Sequence, residues 1–364
     1  MAETVKAKPE ASQDGGEAMA PAIHVAPGPH IKSRTLTTQK MMFDVLLALV
    51  PVVGMAIYIF RGWALLQIGI CVAAAMATEA AFTWIRHRKI PLWDGSAAVT
   101  GLILGLSLPW QADWYIGVLG AVVAVGLGKF VFGGLGYNMF NPAMVGRAFV
   151  TIAFPVALGL SGYVVTPDQA DAPEPPTRYV TEATPMSAAK NAADKRAEAD
   201  RKIDEAEAAS DEVPSTLRLL VGNTNGSLGE VSAIACLLGG LYLVIRRTAS
   251  WEIPLGILVM VAALAGLVSW GGGDVVFTPA DHLLGGALLF GAFFIATDPV
   301  SSPLTPWGKF GFGLIIGFVV MVLRLFSGYP EGVQFAVLFA NALVPLLNRW
   351  TIPRPVGGFA PQKG

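Results

Sequence analysis

The residues best able to do chemistry in this chain are polar groups set inside long apolar runs. Glu79 lies deep in the run Trp63–Ile85, well before the basic group Arg86, His87, Arg88 and Lys89. An ionisable side chain at membrane depth is costly and usually marks a substrate, ion or proton path. Glu79 is therefore a candidate for an ion path, and Asp94 and Glu230, which open later runs, are further candidates. Arg147 sits within Ala143–Val165, where a buried guanidinium needs an anionic partner, either an acidic side chain or a phosphate.

Two other groups combine amides, hydroxyls and a carboxylate with chain-breaking residues: Asn138-Met-Phe-Asn141-Pro142 and Thr297-Asp298-Pro299. Asn141 and Asp298, each followed by Pro, have the form of helix N-caps with Pro in the first turn. In lipid, backbone groups must be satisfied internally, and irregular stretches survive only buried in protein or lining a wet cavity. The two groups are thus either capped helix starts at the membrane edge or a ligand, cation or cofactor site near two half-helix ends.

The elements that would position these residues are membrane spans. Of 364 residues, 54% are hydrophobic and 14% charged, with a mean hydropathy of +0.57. Soluble domains carry about 25% charged residues, so this chain has too few polar side chains to cover a water-facing surface. The net charge of −1 provides no basic field for nucleic acid. Cys71 and Cys236 lie in separate apolar runs without CxxC spacing, which indicates buried small hydrophobes and neither a metal site nor a disulfide framework.

A span needs about 20 residues. Apolar runs fall at Phe43–Phe60, Trp63–Ile85, Ser96–Leu108, Trp114–Phe132 and Ala143–Val165. After a hydrophilic connection they resume at Val231–Val244, Ile253–Trp270, His282–Ala296, Phe310–Leu325 and Val333–Leu347. The expected fold is an all-α polytopic membrane protein of about ten transmembrane helices, arranged as two five-helix halves with broken helices. Because five is odd, equivalent halves would be inverted repeats, an arrangement common in transporters.

The expected organisation is a flexible cytoplasmic tail over 1–42, a first transmembrane half over 43–165 and a loop over 166–229. A second half follows over 230–348, with a cytoplasmic tail over 349–364. Residues 1–42 lack the charged start, apolar centre and small-residue cleavage site of a secretory signal. Lys and Arg mark the cytoplasmic side. Lys32, Arg34, Lys40, Arg86 to Lys89, Lys129, Arg246, Arg247, Lys309, Arg349 and Arg354 collect at one set of span ends, against mainly Arg61 and Arg324 at the other. Both termini are expected inside and the 166–229 loop outside, in the periplasm of a Gram-negative cell. Within the loop, 187–212 is polar all round with alternating charge, as in a solvated helix or a disordered insert. The stretch Tyr179–Met186 is, on pattern alone, a turn with two hydroxyls.

From about Met42 to Arg354 the chain resembles the RnfD component of the Rnf electron-transport complex and, more distantly, the NqrB component of the sodium-pumping NADH:quinone oxidoreductase. The resemblance rests on several motifs taken together. In the first half these are Asp94-Gly-Ser-Ala-Ala-Val-Thr100-Gly with Leu108-Pro109, and Gly136-Tyr-Asn138-Met-Phe-Asn141-Pro-Ala-Met-Val-Gly146-Arg147-Ala-Phe149. The loop contributes Thr181-Glu-Ala-Thr184-Pro. The second half contributes Gly226-Ser-Leu-Gly229-Glu230, Phe294-Ile-Ala-Thr297-Asp298-Pro299 and Gly328-Tyr-Pro-Glu-Gly332.

The resemblance implies an FMN attached through its phosphate to Thr184, with Thr181 at the preceding hydroxyl position. A threonine hydroxyl is a weak nucleophile, so a separate flavin transferase is implied as a maturation partner. Two positions depart from the family pattern: Arg178 stands where Asp is usual, and Glu182 where a small residue is usual. The resemblance further implies a subunit of a multi-subunit translocase in the bacterial inner membrane, not catalytic alone. Such a complex moves electrons between ferredoxin and NAD, coupled to Na⁺ or H⁺. Asn138, Asn141, Arg147, Thr297 and Asp298 would form an interior site for a second, non-covalent flavin such as riboflavin, or for the ion path. The rival readings are a solute transporter or channel without redox chemistry, a non-redox structural subunit, and the quinone-reducing relative.

Overall fold

The computed structural model describes residues 37–86, 94–155, 158, 216–221, 226–270, 278–326 and 332–352. Thr181 and Thr184, the 187–212 stretch and residues 1–36 and 353–364 of the expected tails lie outside the described residues, whereas 38–42 and 349–351 belong to helices rather than to tails. Every described element is helical. In chain order these are α1 (Thr38–Phe60), α2 (Gly62–Ile85), α3 (Ser96–Ser107), α4 (Trp114–Val125), α5 (Pro142–Ala153) and α6 (Thr216–Val221). They continue as α7 (Ala233–Ile245), α8 (Glu252–Trp270), α9 (Pro279–Leu284), α10 (Leu288–Phe290), α11 (Pro306–Phe326) and α12 (Val333–Thr351). Single π-helical turns extend α4 over Gly126–Phe130 and α10 over Gly291–Ile295.

Helices α1, α2, α8 and α11 are long and apolar enough to cross a membrane, with 23, 24, 19 and 21 residues. At about 1.5 Å per residue each covers the roughly 30 Å hydrocarbon layer. Helix α1 starts at Thr38, before the apolar run begins, because the Thr37 hydroxyl accepts from the Lys40 amide and caps it. Arg61 turns the chain directly into α2 with φ of 51°, a left-handed conformation uncommon for a non-glycine residue. Helices α3 and α5 have only 12 residues each, about 18 Å, so neither spans the hydrocarbon alone. The run His282–Ala296 is a short helix, a break and a second short segment ending in the π turn.

Large apolar side chains such as Phe43, Tyr58, Trp84, Val131, Trp307 and Phe326 point outward, as expected where lipid replaces water. Inside, helices approach through small residues. A Cβ on Gly256 of α8 would lie 2.6 Å from the Phe310 carbonyl oxygen and 3.1 Å from Gly313 Cα of α11. Bare glycine faces let these two backbones touch, which is how helices associate without a hydrophobic drive between them.

Hydrogen bonds show which helix ends lie together. The start of α1 meets the end of α7 through Asp44, whose carboxylate accepts from Arg246 (3.2 Å), Thr248 (3.1 Å) and the Tyr242 hydroxyl (3.4 Å). Arg86, after α2, donates to the Phe130 carbonyl at the end of the α4 π turn (2.9 Å). Lys309, in the first turn of α11, donates to Ser250 just before α8 (2.6 Å). Far from these, the short α3 ends against the segment before α7: Gly229 N–H donates to Leu106 O (2.6 Å) and Leu228 N–H to Leu108 O (3.2 Å). Carbonyls that a broken helix would leave bare are thereby filled. Arg324 of α11 does the same for the break after α9, donating to His282 O (2.6 Å) and Gly285 O (2.9 Å).

Candidate functional site

The two chain breaks meet. Asn141 caps α5 with its Oδ1, which accepts from Met144 N–H (3.3 Å), and Pro142 occupies the first turn as expected. Its Nδ2 crosses to the other break and donates to Ile295 O (3.1 Å), the last residue of the second π turn. Asp298 differs from the expectation. No helix starts at Pro299; Asp298 instead closes a turn, accepting from Val300 N–H (3.1 Å) and the Ser301 hydroxyl (3.0 Å), and α11 begins only at Pro306. Thr297 donates to Phe293 O (2.6 Å) within the π turn.

Between the breaks lies a cavity of about 80 Å³, set in a wider cleft of about 760 Å³ that includes space open to the surroundings. Asn138, Asn141, Thr297 and Asp298 all line it, together with Ser96, Thr100 and Lys129. Asn138 donates to Phe140 O (3.1 Å), but its buried Oδ1 has no protein partner. An unpaired buried carbonyl costs about 1–3 kcal/mol.

Behind the wall sits the main charge pair. Lys129 is buried, and its Nζ donates to Glu79 Oε1 (2.5 Å) and Ser96 Oγ (2.6 Å). Ser96 Oγ donates on to Asp94 Oδ1 (2.7 Å), which also accepts from Ser96 N–H (2.8 Å). Glu79 and Asp94 are thus linked to the cleft through Lys129 and Ser96. The sequence pattern marks Lys129 only as a charge at a span end. The structure places it inside, within the π turn Gly126–Phe130, whose extra residue changes the direction of the side chains that it carries. Gly128 permits this approach, since a Cβ there would come within 2.9 Å of Pro142 Cα. A signal for this placement exists, because a lysine within an apolar run is as anomalous as Glu79. Lys129 therefore does not count among the loop charges that set the orientation.

Arg147 does not reach this cleft. Its guanidinium faces Glu230 Oε1 at 3.5 Å, so two predicted site residues satisfy each other instead. The pair joins α5 to the segment before α7, and Glu230 also accepts from Ser227 N–H (3.4 Å). Among the described residues no cluster of metal-ligating side chains occurs.

A helical membrane protein with two broken segments converging on a polar cleft is an architecture of proteins that handle ions or cofactors within the bilayer. Residues 24–357 match the model of the NQR2, RnfD, RnfE family, and the chain belongs to that family. It is 37% identical to the D component of the Na⁺-translocating ferredoxin:NAD⁺ oxidoreductase complex of Acetobacterium woodii, over 92% of this chain and 95% of that protein. It is 38% identical to the D component of the ion-translocating oxidoreductase complex of Stutzerimonas stutzeri, over 88% of this chain and 92% of that one. It is also 35% identical to the D component of the proton-translocating ferredoxin:NAD⁺ oxidoreductase complex of Clostridium ljungdahlii, over 92% and 96%.

Proposed function

We propose that this chain is the D-type membrane subunit of an ion-translocating ferredoxin:NAD oxidoreductase complex in a bacterial inner membrane, and that it carries FMN covalently on Thr184 as an electron relay. The observation that carries the reading is near end-to-end similarity to subunits of that name, covering 95% of one and 96% of another. The Thr181-Glu-Ala-Thr184 motif supports the attachment site. A flavin transferase would install the group, and the remaining subunits and lipid would surround the helices. Bound flavin takes up and releases one or two electrons with protons; the protein supplies position and electrostatics.

Ten alternating spans in two inverted halves is the topology we propose. Two features support it. Helix ends pair consistently at one side, and the same device occurs twice: a π turn followed by Asn141-Pro142 in one half and by Asp298-Pro299 in the other. Both termini would lie inside and 166–229 outside.

The cleft serves the ion route in this reading. Ligand pockets for ring-sized molecules hold about 300–1,000 Å³. The narrow 80 Å³ therefore suits a few waters or a small cation. A second flavin such as riboflavin would lie in the open part of the cleft, against Asn138, Asn141, Thr297 and Asp298, whose free Asn138 Oδ1 fits a ring N–H. Glu79, Asp94 and Glu230 are the carboxylates of the route. Since relatives named for Na⁺ and for protons are 37% and 35% identical, overall similarity does not select the ion. Mass spectrometry of the Thr184 peptide from chain coexpressed with its transferase tests the relay: an FMN adduct that disappears in Thr184→Ala supports it, and an unmodified wild-type peptide refutes it.

A further inference from the structure

Lys129 is an unexpected lining for an ion cleft, because its own charge repels a cation. Its ammonium sits where a cation would be held. Nζ donates to Glu79 Oε1 (2.5 Å) and Ser96 Oγ (2.6 Å), and both Lys129 and Ser96 line the cleft. The Ser96 hydroxyl proton is committed to Asp94 Oδ1 (2.7 Å), so its oxygen turns a lone pair toward Nζ. Glu79 is 1% exposed, and its second oxygen, Oε2, accepts no hydrogen bond from the protein. Oε1 and Oε2 share one carbon, so a bare ion beside Oε1 can be held by both oxygens, whereas the ammonium engages one. The Arg147–Glu230 pair differs. Its planar guanidinium meets the carboxylate at 3.5 Å, and no spherical ion replaces such a group atom for atom. A lysine ammonium is a compact point charge on a flexible stem.

We propose that Glu79 Oε1 and Oε2 and Ser96 Oγ form a binding site for one small monovalent cation, and that the Lys129 ammonium is its resident competitor. An all-oxygen set suits a hard cation. Equal charge makes the exchange balanced: one positive ion replaces one ammonium, and the cluster keeps its net charge. Both together would repel at close range. Lys129 is placed to leave. Its stem starts within the π turn Gly126–Phe130 and borders the cleft, so Nζ can withdraw into that space without movement of a helix. The lysine closes the site when the ion is away, so the Glu79 carboxylate is never stranded in the dry interior. The inference deepens the ion-route reading of the cleft and rests on it.

The test is thermal unfolding of the full chain in detergent, with NaCl, LiCl or KCl replacing choline chloride at constant ionic strength. Lys129→Ala removes the competitor and leaves room for an ion. Its melting temperature should rise saturably with at least one of the three ions, by on the order of 5–10 °C at a hundredfold excess over the dissociation constant. Wild type, whose lysine must first be displaced, should rise much less. Glu79→Gln/Lys129→Ala, which lacks the carboxylate, should not respond. A Lys129→Ala chain indifferent to all three ions, or a double variant that responds equally, overturns the site. A wild-type rise as large as that of Lys129→Ala overturns the competition. If Lys129→Ala yields no folded chain, wild type decides through reductive methylation with formaldehyde and dimethylamine–borane, read by mass spectrometry. Lys129 should label several-fold faster in NaCl than in choline chloride, with the exposed Lys40 unchanged. Equal labelling of Lys129 in the two salts overturns the site. None of these readouts needs turnover, so the route fails separately: ion transport by the assembled complex that survives Glu79→Gln overturns the route instead.

Discussion

Replacing Lys129 by Met tests whether the pair behind the cleft is a true buried ion pair. Lys129 Nζ and Glu79 Oε1 are 2.5 Å apart, with side-chain exposures of 3% and 1%. At an effective dielectric of about 20 their attraction is on the order of 7 kcal/mol. Removing two ions from water costs several kcal/mol each, so the net contribution of the intact pair is near zero. Losing one partner is different: it strands the other charge and costs about 3–5 kcal/mol. At roughly 2–4 °C per kcal/mol for large domains, Lys129→Met should lower the melting temperature by on the order of 10 °C. Glu79→Gln with Lys129→Met, which removes both charges, should recover most of that loss. The assay is thermal unfolding of the four proteins of this cycle in one detergent at one scan rate. A single variant within about a degree of wild type, or a double variant no better than Lys129→Met, would refute the buried-pair argument.

The packing sets three further outcomes. Asn141→Ala removes both a helix cap and the bond to Ile295 O, and should cost about 2 kcal/mol, read as a lower melting temperature; Asn141→Asp keeps the cap acceptor and should lose less. Gly256→Val drives a side chain into the Phe310 carbonyl and should cost at least about 1–3 kcal/mol or abolish folded yield, measured by size-exclusion chromatography. Asp44→Leu leaves Arg246, Thr248 and Tyr242 without their shared acceptor. It should lower the midpoint of thermal unfolding by more than the exposed control Leu47→Ala.

Features that mark a short window are legible in the sequence. Glu79 interrupts an apolar run and Asn141-Pro142 has the form of a cap; the structure buries the first and shows the second capping α5. Lys129 carries the same mark as Glu79, but a run ending at Phe132 leaves the lysine near its edge. The π turns are invisible, because one extra residue in a five-residue stretch leaves no periodicity to detect. Pairings across the chain are equally hidden. Asn141 reaches a carbonyl 154 residues away, and Arg147 meets Glu230 83 residues on. Closeness to Asn141 in sequence groups Arg147 with the cleft, yet that spacing on α5 turns it to a different neighbour.

Those long-range ties also constrain how the halves can move. Rocking one half against the other would break Asn141 to Ile295, Arg147 to Glu230, Asp44 to Arg246, and the two backbone bonds from Leu228 and Gly229 to α3. Neutral bonds contribute about 0.5–1.5 kcal/mol and the Arg147–Glu230 bond about 1.5–3, while the exposed Arg246 is left out of the sum, so the set resists separation by on the order of 5 kcal/mol. That would leave roughly one molecule in 10⁴ in a rocked state unless another ligand compensated. Ion coupling is therefore expected to work through local rearrangement at the cleft, where Asn138 Oδ1 and the cavity leave room, with the halves fixed. Hydrogen exchange of a peptide covering 226–232 tests this during turnover of the assembled complex. Protection of the Leu228 and Gly229 amides equal to that at rest supports fixed halves. Exchange that accelerates with turnover would mean that the backbone ties open each cycle, and rocking would then be the better account.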